Sequence, residues 1–410
     1  MINRTIFEAI ERSISQRPVT LITGARQVGK TTLCRELVSI HGYKYVSLAD
    51  TSERSMAMRD PDMFLRIHGT PLIIDEVQYA PMLFNSIESV VDKAKFDTDR
   101  NEGMYVLTGS QAYNLMMGIT QSMAGRVSIV RMSPLSMSEI YSREELPFTV
   151  DTENNIRRGM ELTLGINDVY SMIVRGMYPE LHDKKGLRTR EFYSDYVDSY
   201  ISKDVSQLIG LKDKSKFNDF MELLASLTGQ ELVYNNIANT LGVNIKTVQS
   251  WVSVLVAGDV IHLLQPYSER STVKRIVKRP KVYFCDTGLA CYLAKITDAN
   301  TLRSGYLSGH MVETFIVNEI LKSYRNSRED AGFFYYRDSQ MNEIDLIILK
   351  DGTLSLIECK SGMTYDASAV KAFGRMEKSE YSVKASCLIC LTDKPYPLKD
   401  GVYALPLTVV

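Results

Sequence analysis

Val19-Thr20-Leu21-Ile22-Thr23-Gly24-Ala25-Arg26-Gln27-Val28-Gly29-Lys30-Thr31-Thr32 is the stretch on which the reading of this chain turns. A five-residue apolar and β-branched run stops at Gly24. After four intervening residues a second glycine introduces Lys30, Thr31 and a helical pattern through Leu33, Leu37 and Val38. Strand, glycine loop and helix in this order let successive backbone N–H groups turn inward around a phosphate at the positive end of the helix. Glycine at 24 and 29 permits backbone conformations that a Cβ would forbid. Gly24, Ala25, Arg26, Gln27, Val28, Gly29, Lys30, Thr31 and Thr32 are therefore the expected phosphate cradle. Lys30 is placed to reach the β- and γ-phosphates and the Thr31 hydroxyl to hold the metal, so ATP and Mg2+ are the expected ligands.

Downstream, the apolar run Pro71–Ile74 ends in Asp75-Glu76. A buried parallel strand reads as a continuous apolar run, and ligands bind beyond the C-terminal ends of such strands. Asp75 is expected to hold Mg2+, directly or through water, and Glu76 to orient and deprotonate the attacking water. A third strand, Met104–Leu107, ends in Thr108-Gly109-Ser110-Gln111, where a polar residue can sense the γ-phosphate. Ser110 is the expected sensor, Thr108 the alternative, and an ordinary helix cap the competing explanation. GARQVGKTT, LIIDEVQ and VLTGSQ, in this order and spacing, resemble the AAA-type ATPases of bacteria and archaea that carry an uncharacterised C-terminal region. The resemblance implies that Gly125-Arg126 precedes the last core strand, with Arg126 touching nucleotide in cis or from a neighbouring subunit; a surface salt bridge is its competitor. It also implies that the mostly helical stretch Ile156–Leu224 is the helical lid, including Tyr196–Val205, where Lys203 and Asp204 form a solvated helix face or, alternatively, are catalytic.

Further on, Asn236–Leu241, Gly242 and Ile245–Val256 read as short helix, turn and longer helix, the helix-turn-helix signature. His262–Leu264 and Val282–Phe284 are the expected strands of a wing. Arg270, Lys274, Arg275, Lys278, Arg279 and Lys281 then make a basic loop suited to DNA phosphates. The exposed positions of the second helix (Lys246, Gln249 and Ser250) include no arginine to read guanine edges.

Near the C-terminal end, Glu343–Leu349 and Leu354–Lys360 are apolar runs around Asp351-Gly352, the strongest short hairpin signal. With Asp351 and Gly352 as the two loop residues, Asp345 faces Glu358 and Glu343 faces Lys360, all four on one face of the hairpin. Facing carboxylates repel unless something positive lies between them, a lysine or a divalent cation. Glu313 adds a carboxylate on the apolar face of the helix expected over His310–Tyr324. Glu313, Asp345, Glu358 and Lys360 together resemble the PD-(D/E)xK nuclease-like core. There the acids hold Mg2+ and the lysine positions or activates water. The alternative is a salt-bridged, inactive version of that fold.

Composition is that of ordinary globular protein: 410 residues, 45% hydrophobic, 24% charged and a formal net charge of −1. Total charge therefore demands no nucleic acid, and any such partner must be met by local patches. Met1–Arg17 reads as an amphipathic helix rather than a leader, and no run approaches the roughly 20 apolar residues of a membrane span. The six cysteines lie mostly in apolar runs; Cys387 and Cys390 have no second pair with which to build a zinc site, and a cytoplasmic setting is expected. The expected fold is α/β: a P-loop NTPase parallel sheet (1–150) with helical lid (151–225), then a winged helix-turn-helix (226–300) and an α/β restriction-endonuclease-like domain (301–410). The expected function is Mg2+-dependent ATP hydrolysis driving conformational change in a C-terminal DNA-binding, nuclease-like region, with DNA as partner, no membrane and homo-oligomers in prospect. The alternative is a nucleotide-switched regulator or scaffold with an inactive nuclease-like fold.

Overall fold

The computed structural model describes residues 2–98, 101–109, 123–184, 186–200, 205, 213–268, 279–377 and 379–410. Ser110, Lys203, Asp204, Arg270, Lys274, Arg275 and Lys278 lie outside them. The chain divides into two compact units. The first holds Met1–Leu135 with two short returns, Ala257–Asp259 and Arg325–Ser327; the second holds the remainder.

Unit one is built on five parallel strands in the order β2-β3-β4-β1-β5. These are β1 (Val19–Thr23), β2 (Lys44–Ser47), β3 (Leu72–Asp75), β4 (Tyr105–Thr108) and β5 (Val127–Arg131). The continuous apolar runs behave as buried parallel strands should: β1, β3 and β4 are buried along their whole length. Helices α1 (Ile6–Gln16), α2 (Lys30–His41), α3 (Thr51–Arg59), α4 (Pro61–His68) and α5 (Leu83–Thr98) accompany the sheet. In α1 the stripe Ile6, Ala9, Ile10 and Ser13, spaced by three and four residues, is the buried face. Leu21, Leu72, Ile74, Leu83, Ile87 and Leu107 centre the core. Because β4 lies between β1 and β3, its C-terminal Thr108 stands between the glycine loop and the acidic pair.

Unit two carries a nine-stranded sheet, β13-β14-β12-β11-β10-β9-β7-β8-β6. Its strands are β6 (Gln230–Glu231), β7 (Ile261–Pro266), β8 (Lys281–Phe284), β9 (Gly332–Arg337), β10 (Glu343–Lys350), β11 (Thr353–Cys359), β12 (Ser382–Cys390), β13 (Tyr396–Lys399) and β14 (Val402–Pro406). The helices Tyr234–Leu241 and Ile245–Ala257 flank Gly242, whose positive φ of 62° closes the first of them. Lys246, Gln249 and Ser250 are exposed on the second, while Val248, Trp251, Val252, Val254 and Leu255 are buried. β7 and β8 pair antiparallel where a wing was expected.

The division of the chain differs from that read in the sequence. β7 also pairs in parallel with β9 through Gln265↔Phe334 and Pro266↔Tyr335. The strands expected in a connector and those expected in a C-terminal domain therefore form one sheet. The helices expected as a lid, Thr152–Glu161, Ile166–Arg175, Pro179–Asp183 and Thr189–Tyr200, lie in the same unit. One junction within it is a close backbone crossing. Gly176 takes φ 76°, and a Cβ there would lie 2.0 Å from the Tyr193 hydroxyl; a Cβ on Gly288 would lie 2.7 Å from Gly176 Cα. Asp286, buried beside them, accepts from Tyr193 Oη at 2.6 Å, Met177 N–H at 2.7 Å and Leu289 N–H at 2.8 Å.

The Asp351-Gly352 hairpin forms as its sequence indicates. Both residues have positive φ, 51° and 72°, as a type I′ turn requires. Pairing runs from Lys350↔Thr353 to Leu346↔Ile357, the register expected of that two-residue loop. Among the described residues no helix is long and apolar enough to cross a membrane.

Candidate functional site

The glycine loop joins β1 to α2. Gly24 has φ 139°, and a Cβ there would sit 2.1 Å from the Met132 carbonyl oxygen, so any side chain would drive the loop off β5. Gly29, at φ 99°, is the residue before α2. Lys30 opens that helix with only 8% of its surface exposed. Its ammonium donates to the carbonyls of Gly24 at 2.9 Å and Ala25 at 2.7 Å, spanning the mouth of the loop. Burial lowers the Lys30 pKa to about 8 against the upward pull of Glu76 and Asp75. Thr31 Oγ1 donates to Asp75 Oδ2 at 3.1 Å. A hydroxyl and a carboxylate oxygen in contact, next to a phosphate cradle, are the hard oxygen donors that Mg2+ takes together with nucleotide, so this set fits the ion.

Asp75 is gathered from three directions. Besides Thr31 it accepts from Tyr45 Oη at 2.7 Å and from Thr108 Oγ1. Thr108 in turn accepts the Glu76 backbone N–H at 3.3 Å. Thr108, the alternative to Ser110, thus ties β4 to both acids. Glu76 turns out of β3 in the left-handed region (φ 59°, ψ 43°), which points its side chain away from the strand's own row. Its carboxylate accepts from Gln78 Nε2. The other end of that amide, Gln78 Oε1, is buried with no hydrogen-bond partner among the described residues. Because an ionised carboxylate only accepts, it fixes which end of the amide faces it.

Three of these residues escape a motif reading. Tyr45 and Gln78 reach the acids from β2 and from the turn after β3. Arg4 donates to the carbonyls of Val28 at 2.6 Å and Ser133 at 2.7 Å, bracing the loop from a distant part of the sequence. Gln78 alone left a trace, as the last letter of LIIDEVQ. Arg126, expected beside nucleotide from the resemblance, donates to both Asp92 carboxylate oxygens at 2.7 Å and lies 3.0 Å from Glu88. Two carboxylates of α5 pair with it on that helix surface.

The second set of acids comes together in unit two, with a correction. Glu313, from the helix Ser308–Ser327, and Glu343 and Asp345, from β10, surround the ammonium of Lys281, the first residue of β8. Lys281 Nζ lies 2.8 Å from Glu313 Oε1 and 3.5 Å from Asp345 Oδ1, and contacts Glu343 Oε1. Expected in a solvated DNA-binding loop, it is instead 2% exposed. The reason is strand parity: Lys281 and Tyr283 share a face of β8, and Tyr283 Oη also donates to Glu313 Oε1, at 2.6 Å.

Nor does Glu343 take up Lys360. It stands opposite Arg337 on β9, 3.8 Å from its Nε. Lys360 falls beyond the end of β11, gives its backbone N–H to Ile389 and pairs with Glu358. Glu358 Oε2 is buried without a hydrogen-bond partner among the described residues. Burial, reinforced by Asp345, pushes the Glu358 carboxyl well up; burial likewise raises Glu313, to about 7, despite Lys281. The ammonium fills the centre where an ion would have to sit. Among the described residues no group of three or more His, Cys, Asp or Glu is arranged to hold a metal. The Mg2+ of the PD-(D/E)xK resemblance does not fit the residues as they stand.

Comparison with known proteins divides the chain in the same order. Residues 16–141 match the AAA domain family. Residues 166–300 and 308–410 match two domains of unknown function, DUF8612 and DUF4143. Uncharacterised proteins of Mycobacterium tuberculosis and Mycobacterium bovis are each 24% identical over 398 residues, spanning 97% of this chain and 82% of theirs. Among solved structures, the Walker-type ATPase of Pyrococcus abyssi is similar at TM-score 0.39 and 14% identity, over 70% of this chain and 94% of that one. A RuvB variant of Thermotoga maritima is similar at TM-score 0.30 and 16% identity, over 64% and 89%. At such scores these two likenesses carry no argument. The family match and the five-stranded parallel sheet give the N-terminal unit the fold of an AAA-type P-loop ATPase.

Proposed function

We propose that this protein binds ATP with Mg2+ in its N-terminal unit and hydrolyses it, using the turnover to change the state of its C-terminal region. The observation that carries the reading is the convergence of Lys30, Thr31 and Asp75 at the glycine loop. The buried Lys30 ammonium exchanges the Gly24 and Ala25 carbonyls for phosphate oxygens. Thr31 and Asp75 hold the ion, which supplies charge neutralisation on the phosphates when bound. Glu76 takes the proton of the attacking water, and Gln78, donating to Glu76, holds that carboxylate in place. Thr108 holds the two acids in register.

For the C-terminal region the acid cluster filled by Lys281 favours the regulator or scaffold reading over a nuclease. On that reading nucleotide state changes partner or oligomer contacts, and DNA bound through Lys246, Arg279 and the basic loop is held rather than cut. The deciding experiment is MgATP turnover by pure full-length protein, with and without duplex DNA, the DNA then being run on a gel. Turnover that vanishes in Lys30→Ala and leaves DNA intact is the expected result. Absence of both turnover and ATP binding in the wild type would overturn the proposal.

A second outcome follows from the lowered pKa of Lys30. At about pH 9 the free site holds Lys30 mostly neutral, and incoming phosphate restores its charge, so ATP binding takes up close to ~1 proton. Uptake shrinks towards zero below about pH 7, where Lys30 is already charged. Calorimetry in two buffers of different ionisation enthalpy reads this directly. Tight binding at the higher pH with no proton uptake would show that Lys30 does not meet the phosphates.

A further inference from the structure

We propose that Lys281 is the resident cation of the acidic site in the C-terminal unit, and that this site is a latent divalent-metal site which the ammonium keeps closed. The chemistry of the donor set is the first ground. A lysine ammonium has three N–H donors and no acceptor. Here three carboxylates from two different elements, Glu313, Glu343 and Asp345, each approach the same nitrogen within 3.5 Å. Geometry is the second ground. These carboxylates converge on one point from a helix and a strand, as ligands of a hard cation do, and that point is taken.

Charge is the third. Glu313, Glu343, Asp345 and Glu358 face Lys281, Lys360 and Arg337. Arg337 is shared with Glu231 at 3.5 Å, which leaves Lys281 as the cation common to Glu313, Glu343 and Asp345. A divalent ion added to this arrangement would meet a fixed ammonium rather than an unbalanced set of acids. Removing that ammonium without altering the acids reverses the situation and uncovers three oxygen ligands around an empty centre.

The inference is independent of the ATPase reading, and its test is run without nucleotide. Manganese(II) is the probe, because its free-ion paramagnetic resonance signal disappears on binding. Full-length wild type should leave the signal unchanged at the level set by Asp345→Asn, with Mn2+ up to about 1 mM. Lys281→Met should take up one additional Mn2+ per chain with a dissociation constant below about 100 µM. Lys281→Met combined with Asp345→Asn should lose it, and Lys281→Arg, which keeps the positive charge, should behave as wild type. Two results would overturn the proposal: one equivalent bound by wild type and abolished by Asp345→Asn, or a folded Lys281→Met that binds no more than wild type. If Lys281→Met does not fold, as its circular dichroism would report, wild type against Asp345→Asn decides alone.

Discussion

Glu76→Gln retains MgATP but turns it over at least ~100-fold more slowly than wild type, the usual scale for loss of a positioned general base. The substitution preserves volume and keeps one side-chain oxygen to accept from Gln78. Glu76 contacts Thr108 through its backbone N–H and Gln78 through its carboxylate, so the fold and the phosphate cradle are expected to survive. The loss therefore falls on kcat with the binding constant little changed, which separates it from Lys30→Ala, where affinity itself is lost. Single-turnover measurement on the preformed complex isolates the chemical step. A Glu76→Gln rate within threefold of wild type would place the base elsewhere and leave Glu76 as a structural carboxylate.

Asp286→Ala has the largest expected effect on stability. The carboxylate is buried and serves Tyr193 Oη, Met177 N–H and Leu289 N–H at once. Truncation leaves the Met177 and Leu289 N–H groups without an acceptor, each at about 1–3 kcal/mol, while the Tyr193 hydroxyl falls back on the Arg175 carbonyl at 3.2 Å. Partial relaxation around the new space brings the sum to roughly 4 kcal/mol. For a unit of this size that corresponds to a fall in midpoint temperature of about 10 °C. Asp286→Asn, which keeps one carbonyl acceptor, should fall between. Scanning calorimetry of the full chain checks both, and a shift under 2 °C for the alanine variant would mean that the Gly176 and Gly288 crossing is held by something other than Asp286.

How much of this was legible in the sequence depends on how far apart the partners lie. The glycine loop is a local object: spacing from Gly24 to Thr32, bounded by a strand and a helix, specifies it with no reference to the rest of the chain. The Asp351-Gly352 turn is equally local, and its register follows by counting outward. Asp75 and Glu76 were readable because a buried strand announces its own end. The first stretch of unit one ends at Leu135, short of the boundary at 150 expected for the P-loop sheet.

What was not legible depends on contacts between distant residues. Lys281 sits in a run of basic residues whose composition points to solvent, and nothing local distinguishes it from Arg279. Its alternation with Tyr283 was the available signal, but its partners lie 32 or more residues downstream on other elements. Arg4 at the loop and Tyr45 on Asp75 are the same kind of case. The pairing of β7 with β9 has no periodicity to betray it, because either strand reads identically as the edge of its own hairpin. Ser110, Lys203, Asp204 and the loop residues Arg270, Lys274, Arg275 and Lys278 fall outside the described residues, so their expected roles stand as proposals.

The continuity of the nine-stranded sheet decides how this protein can be dissected. A fragment begun at residue 301, where a domain boundary reads naturally from the sequence, would carry β9 through β14 without β7 and β8. It would expose the backbone donors and acceptors of β9 as an open edge, which templates strand addition by other copies and aggregation. It would also strip Lys281 from Glu313, Glu343 and Asp345, leaving uncompensated carboxylates in a partly buried setting. Cuts that respect the fold fall near Leu135 instead. Insolubility of the shorter piece would then reflect the place of the cut rather than any instability of the sheet it interrupts.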